Sequence, residues 1–295
     1  MFTRRFSSSI LLAAIVTAAI VGPAAAREPQ PTSPAPAVLE ERPLTREEQA
    51  AADRKVAESD AYLASEALSG ADLASLSCFT PTGGPTTTAA AAPTACYVPA
   101  GYLAVTARDQ ERGHWCGPAV GQVISNWSWA SKSWANKYSQ TKIAGWMRTD
   151  VFGGTSAPYL EYGLEVATGG SPRRPAGWNW VVMDVRDRDR DGHTADELQG
   201  YVRSNVSGSK MPLAIPVKPH QPWSKYYLTS WPKPIVSVGH WIAAYGWYGN
   251  YTGTTFARIY YTDSSRDEGG STGKFWDPTR DIAALINEHT RRIVW

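Results

Sequence analysis

The chain carries a cysteine where a nucleophile could work. Residues 110–127 read QERGHWCGPAVGQVISNW. Val120, Val123, Ile124 and Trp127 recur at helical spacing, so the pattern predicts a helix that starts at Cys116 and buries one face. Pro118 suits the first turn, where its missing N–H costs no hydrogen bond. A thiol at that point sits at the positive end of the helix dipole, which favours the thiolate, the reactive form. The bland alternative is an inert core cysteine, because free cysteines are among the most buried residues. Cleaving an amide with a thiolate requires three further groups. A base takes the thiol proton and returns it to the leaving amine, a third group orients that base, and donors stabilise the oxyanion.

Candidates for each exist. Of the five histidines, His240 follows Gly239, which removes side-chain bulk beside it. The run WIAAYGW behind it reads as a core strand that would hold it rigidly. His114 is nearest to Cys116 in sequence, which does not make the side chains neighbours. His193, His220 and His289 stand in polar, Pro-rich or terminal settings and read as surface. Asp263 ends the run FARIYYTD. An aspartate there can accept an imidazole N–H and stabilise the imidazolium; an ordinary turn aspartate is the alternative. Asp267 is the fallback. Gln110 lies in the polar run 108–113 and reads either as an amide donor or as a surface glutamine.

Taken together, these residues resemble the papain-like cysteine peptidases, in particular the bacteriocin-processing peptidases and their secreted relatives, family thirty-nine of the cysteine class. That family carries a glutamine, then a cysteine followed by Gly and a small residue, here Gln110, Cys116, Gly117 and Ala119. It carries Gly-His-aromatic on a strand, here Gly239, His240 and Trp241, and an aspartate at the end of a later strand, here Asp263. The resemblance covers roughly the C-terminal two-thirds of the chain. It implies His240 as the base, Asp263 as its orienter, and Gln110 with the Cys116 N–H as the oxyanion donors. It also implies a papain-like fold, in which a helical lobe with the nucleophile helix packs against an antiparallel sheet lobe. The members that process double-glycine leaders sit on transporters; this sequence contains no such segment, so leader processing is not implied.

The elements that must position these residues can be read coarsely. A helix is expected over 46–68, opened by a Thr45/Glu48 capping box and with a thin apolar face of Ala52, Val56 and Leu63. Further helices are expected over 138–148 and 156–167 and from Thr194, where Glu197 suggests a second capping box. Strands are expected over 181–185, 213–217, 235–245 and 255–262, separated by Pro, Gly and Asn. Helices first and antiparallel strands later predict an α+β architecture.

The remaining composition sets the context. The chain has 295 residues with 13 Trp and 14 Tyr, which supports a packed globular domain. Most of those aromatics are expected in the core, with a ligand groove as the other use. Residues 1–26 read as a signal peptide: Arg4 and Arg5, an apolar run over 10–21, and Ala24, Ala25 and Ala26 at the cleavage site. That predicts a secreted, extracellular protein, not held in the membrane once the signal is removed. Without the signal the chain is formally neutral, with 27 basic and 27 acidic residues, so nothing points to nucleic acid or an anionic membrane. Residues 27–96 form an acidic helical arm and a Thr/Ala/Pro-rich linker, and residues 97–295 the peptidase domain. Residues 27–77 carry a net charge of −5 and the rest from Cys78 carries +5. The arm therefore reads either as a removable pro-segment or as a solvated spacer. Three cysteines in a secreted chain leave one over. A Cys78–Cys96 pairing would leave Cys116 free, and a Cys96–Cys116 pairing would remove the chemistry.

One further pattern is Asp187-x-Asp189-x-Asp191-Gly192, which looks like the front half of a calcium loop. Its twelfth position is Leu198, with Asp196 and Glu197 out of register, and Arg186, Arg188 and Arg190 lie between the acids. The pattern therefore reads as a charged loop, and neither cofactor nor metal is expected. The expected function is a secreted cysteine peptidase acting on a peptide or protein substrate through Cys116, His240, Asp263 and Gln110. The alternatives are a cell-wall amidase or endopeptidase acting on peptidoglycan peptides, which would associate with the wall, and an inactive secreted binding module on the same fold.

Overall fold

Among the described residues seven strands pair antiparallel, in the order β2-β7-β3-β4-β5-β6, with β1 beside β4. The strands are β1 (Ala100–Tyr102), β2 (Val182–Asp184), β3 (Leu213–Val217), β4 (His240–Tyr248), β5 (Arg258–Asp263), β6 (Gly273–Pro278) and β7 (Arg292–Val294). The helices are α1 (Arg46–Ala74), α2 (Cys116–Ser128), α3 (Gln140–Trp146), α4 (Ala157–Thr168), α5 (Ala195–Arg203) and α6 (Thr279–Asn287), and a π-helical turn, Ser204–Ser209, follows α5. This is a mixed α+β chain. The computed structural model describes residues 42–74 (side chains to 66), 100–130, 136–151, 153–190, 194–219, 224–231, 238–249, 257–265 and 270–295. The signal segment, Cys78, Cys96, the 79–95 linker, Asp191, Gly192, His193, His220, Trp134, Trp223 and Asp267 lie outside the described residues.

The core forms around α2 and β4. α2 lies against α3, α4 and β4. It buries more than the single face its apolar stripe predicts, with every residue from Cys116 to Asn126 buried. A helix enclosed on all sides must satisfy its own polar groups. Gln122 donates to Tyr138 O at 2.9 Å and accepts from Gln140 Nε2 at 3.1 Å. Asn126 accepts from Lys137 N at 2.9 Å, and Ser128 Oγ donates back to Ile124 O at 2.8 Å. β4 carries the run HWIAAYGW wholly buried, paired on one edge with β3 and on the other with β5.

The acidic arm's helix packs onto this body and belongs to the same compact unit, residues 36–295. Its capping box forms as expected: Glu48 N donates to Thr45 Oγ1 at 3.2 Å and Thr45 N to Glu48 Oε2 at 2.7 Å. Its buried stripe is not the thin apolar one, because Lys55 and Ser59 lie on it beside Ala52. Lys55 Nζ donates to Asn179 O at 2.9 Å and stands 3.7 Å over the Trp178 ring. Ser59 bonds Ser204 at 2.8 Å, Arg188 pairs with Asp60 at 2.8 Å and Arg203 with Glu66 at 2.6 Å.

The second expected capping box does not form. Thr194 makes no side-chain cap to α5; its Oγ1 accepts from Asn287 Nδ2 at 3.3 Å, and Glu197 accepts from the backbone N–H of Arg188. No helix among the described residues is long and apolar enough to cross a membrane.

Candidate active site

Cys116 opens α2, and its N-cap Trp115 makes no side-chain cap. The N–H groups of Cys116 and Gly117 are among those a helix leaves without an internal partner. Pro118, in the same turn, has none to leave. Gly117 is required by its neighbour: a Cβ there would stand 2.5 Å from Thr155 Oγ1. Cys116 is a free, buried thiol, 8% exposed.

His240 begins β4 and Asp263 ends β5. The strands are antiparallel with Ala243 opposite Thr262, so continuing that register sets Asp263 opposite Ile242, two residues from His240. Both side chains then lie on one face at one end of the sheet. His240 Nε2 and Asp263 Oδ1 are 2.8 Å apart, at 2% and 0% side-chain exposure. The other ring nitrogen is left for Cys116, whose side chain lies close enough to help raise His240. Burial opposes the charged imidazole most strongly, but Asp263 and Cys116 outweigh it and raise His240 to about 10. Burial works against the Asp263 carboxylate too. The field and hydrogen bond of His240, with donors from Ser230 and Ser265, hold it below the usual range.

Gln110 is not on the surface. Its backbone N–H donates to Ser264 O at 2.9 Å, tying the loop before Cys116 to the residue after Asp263. Its Nε2 donates to Gly113 O at 2.6 Å and its Oε1 accepts from Ser264 Oγ at 3.4 Å. An amide nitrogen has two hydrogens, so one remains for another acceptor.

His289, read from sequence as surface, packs beside the site. A Cβ on Gly239 would stand 2.4 Å from its Nε2, and its Nδ1 is buried without a partner. Burial, then Lys218 and His240, push it down to about 4. His114 stays partly exposed against Trp115. The sequence reading also missed Ser230 and Trp231, which both donate to Asp263. They sit outside any helix or strand, and no local pattern marks them.

Asp187, Asp189 and Glu197 bring carboxylate oxygens within 4.8 Å of one another. Glu197, out of register by sequence count, therefore joins the cluster. Arg188 and Arg186, which spoke against a cation in the sequence, turn to Asp60 and Asp184 instead. Acidic groups of this kind are common on protein surfaces without an ion. Two cavities, of about 370 and 450 Å³, are lined by charged residues such as Asp189, Glu197, Arg186 and Arg291, and not by Cys116, His240 or Asp263.

No family model matches the chain, and no curated protein matches it in sequence.

Proposed function

We propose that this chain is an exported cysteine peptidase of papain-like type that hydrolyses peptide bonds through Cys116, His240 and Asp263. One observation carries the reading: a free thiol at a helix N-terminus meets an imidazole whose other nitrogen is fixed on a buried carboxylate. A histidine kept only for packing would have little reason to hold a charge in so dry a place.

The chemistry follows from these positions. The Cys116 thiolate attacks the carbonyl carbon and a C–S bond forms. The oxyanion accepts from the Cys116 N–H and from the remaining N–H of the Gln110 amide. The adduct collapses, the C–N bond breaks, and the departing amine takes its proton from the His240 imidazolium. Water then attacks the thioester, giving its proton to His240. The C–S bond breaks, releasing an acid and restoring the thiolate beside the imidazolium. Asp263 holds the imidazole in orientation and stabilises its charge. The residues need no metal or cofactor for any of these steps.

The test is the alkylation of Cys116 against pH in unreduced protein, mapped by peptide mass spectrometry, alongside hydrolysis of a peptide library. Rapid modification that His240→Ala abolishes supports the reading, and so does hydrolysis that Cys116→Ala abolishes. A disulfide-bonded or ordinarily reactive Cys116 would overturn it and leave the binding module in its place. Clearing of a cell-wall suspension without cleavage of protein substrates would redirect it to peptidoglycan peptides.

A further inference from the structure

Among the described residues Asp263 has four hydrogen-bond partners. Its Oδ1 bonds His240 Nε2 at 2.8 Å and accepts from Ser265 N at 2.9 Å. Its Oδ2 accepts from Ser230 Oγ at 2.7 Å and from the indole N–H of Trp231 at 2.8 Å. Ser230, Trp231 and Asp263 are all 1% exposed or less. The Trp231 ring also stands edge-on to the His240 ring, centroids 5.1 Å apart. Two consecutive residues therefore engage both members of the charged pair.

That segment is tied down in turn. Thr229 N donates to Asp277 Oδ2 at 3.0 Å. Tyr261 OH donates to Asp277 at 2.6 Å and lies 3.1 Å from Ser230 Oγ. Tyr261 and Asp263 alternate along β5 and so share a face, while Asp277 comes from β6. Residues 229–231 are thereby fixed against two strands beside the site.

We infer that Ser230 and Trp231 are positioning residues that hold the Asp263 carboxylate aimed at His240. The inference rests on the reading of Cys116, His240 and Asp263 as a peptidase site. A buried carboxylate has lost its water and either gains donors, turns, or takes up a proton. Two donors occupy Oδ2, so the carboxylate cannot rotate without breaking both bonds, and Oδ1 is left facing the imidazole. The Trp231 edge closes one side of the pair to water.

Ser230→Ala and Trp231→Phe keep shape and each remove one donor. The His240 ring protons are titrated by NMR, with Asp263→Asn as reference, and kcat/KM is measured on a peptide substrate. Each single variant should lower the His240 midpoint by about one pH unit and kcat/KM by roughly tenfold. The double variant should lower both further, and Ser230→Thr, which keeps the hydroxyl, should restore the midpoint. A role confined to packing predicts a lower melting temperature with an unmoved midpoint in both folded single variants, and that result overturns the proposal. If Asp263→Asn also leaves the midpoint unmoved, the triad reading itself fails. The NMR readout does not depend on peptide hydrolysis, so the two failures are told apart.

Discussion

The indole N–H of Trp241 donates to the carbonyl of Thr155 at 2.8 Å. Trp241 follows the histidine of the site, and Thr155 packs against Gly117, which follows the cysteine. This bond ties the sheet that carries His240 to the helix that carries Cys116. It also gives a physical reason for an aromatic after the histidine: a side chain that fills the core and still brings a donor. Trp241→Phe keeps most of the packing and loses the tie. The expected loss is about 1–3 kcal/mol of stability, from a buried carbonyl left without its donor. The spacing between α2 and β4 should loosen too, lowering kcat/KM more than binding. Thermal melts and steady-state kinetics check both; unchanged kinetics would show that the tie does not position the site.

The raised His240 pKa sets a sign for pH dependence. A histidine lifted above its ordinary value stabilises the fold fully below about 6.5, and that contribution is lost as pH rises through the folded value, about 10. Catalysis reads the same proton. Amide hydrolysis needs imidazolium to protonate the amine, so kcat/KM should hold through neutral pH and fall toward 10. Alkylation of Cys116 needs only thiolate and should not fall there. Divergence of the two profiles is the expected result, measured on one sample across pH.

Some of this was legible in the sequence because it is local. The stripe behind Cys116 gives α2, a short apolar run bounded by turn residues gives β3, and Thr45 with Glu48 gives the start of α1. Other features are set by contacts between distant residues. β7 has three residues and exists because Val294 meets Val182. His289 looks like a surface residue until Gly239 makes room for it. Glu197 matches a capping box, but the backbone of Arg188 competes for it. Ser230 and Trp231 reach Asp263 because Tyr261 of β5 and Asp277 of β6 hold their segment there, and no periodicity encodes that.

Gln110 can be separated from the thiol chemistry. Gln110→Ala should lower kcat by roughly a hundred- to a thousand-fold, the cost of losing one oxyanion donor, with KM little changed. Alkylation by iodoacetamide passes through no oxyanion and should proceed at the parental rate. If alkylation falls as much as hydrolysis, Gln110 acts through the loop it ties to Ser264 rather than on the substrate.

The arm offers another test. Lys55, Ser59, Asp60 and Glu66 anchor α1 to the body, so the helix acts as a strut. Lys55→Ala removes a buried stem and its bond to Asn179, and should cost roughly 1–3 kcal/mol. Deleting residues 42–74 should lower the melting temperature and should not raise activity. Higher activity in that truncated chain at an unchanged melting temperature would favour the pro-segment reading.

His289 supplies the opposite pH sign to His240. Its folded value is pushed down to about 4, chiefly by burial, so the folded protein resists a proton that the unfolded chain accepts. The contribution is present above about pH 6.5 and is lost as pH falls toward 4, with a slope of up to about 1.4 kcal/mol per pH unit. Asp263, held low by His240, acts in the same direction at more acid pH. His289→Gln keeps a planar polar group against Gly239 without a titrating ring. Its melting temperature should fall less steeply than the parent's between pH 6.5 and 4. Parallel melting curves for the two proteins would show that His289 does not carry the acid sensitivity, and that the protonation of Asp263 or of surface carboxylates sets it.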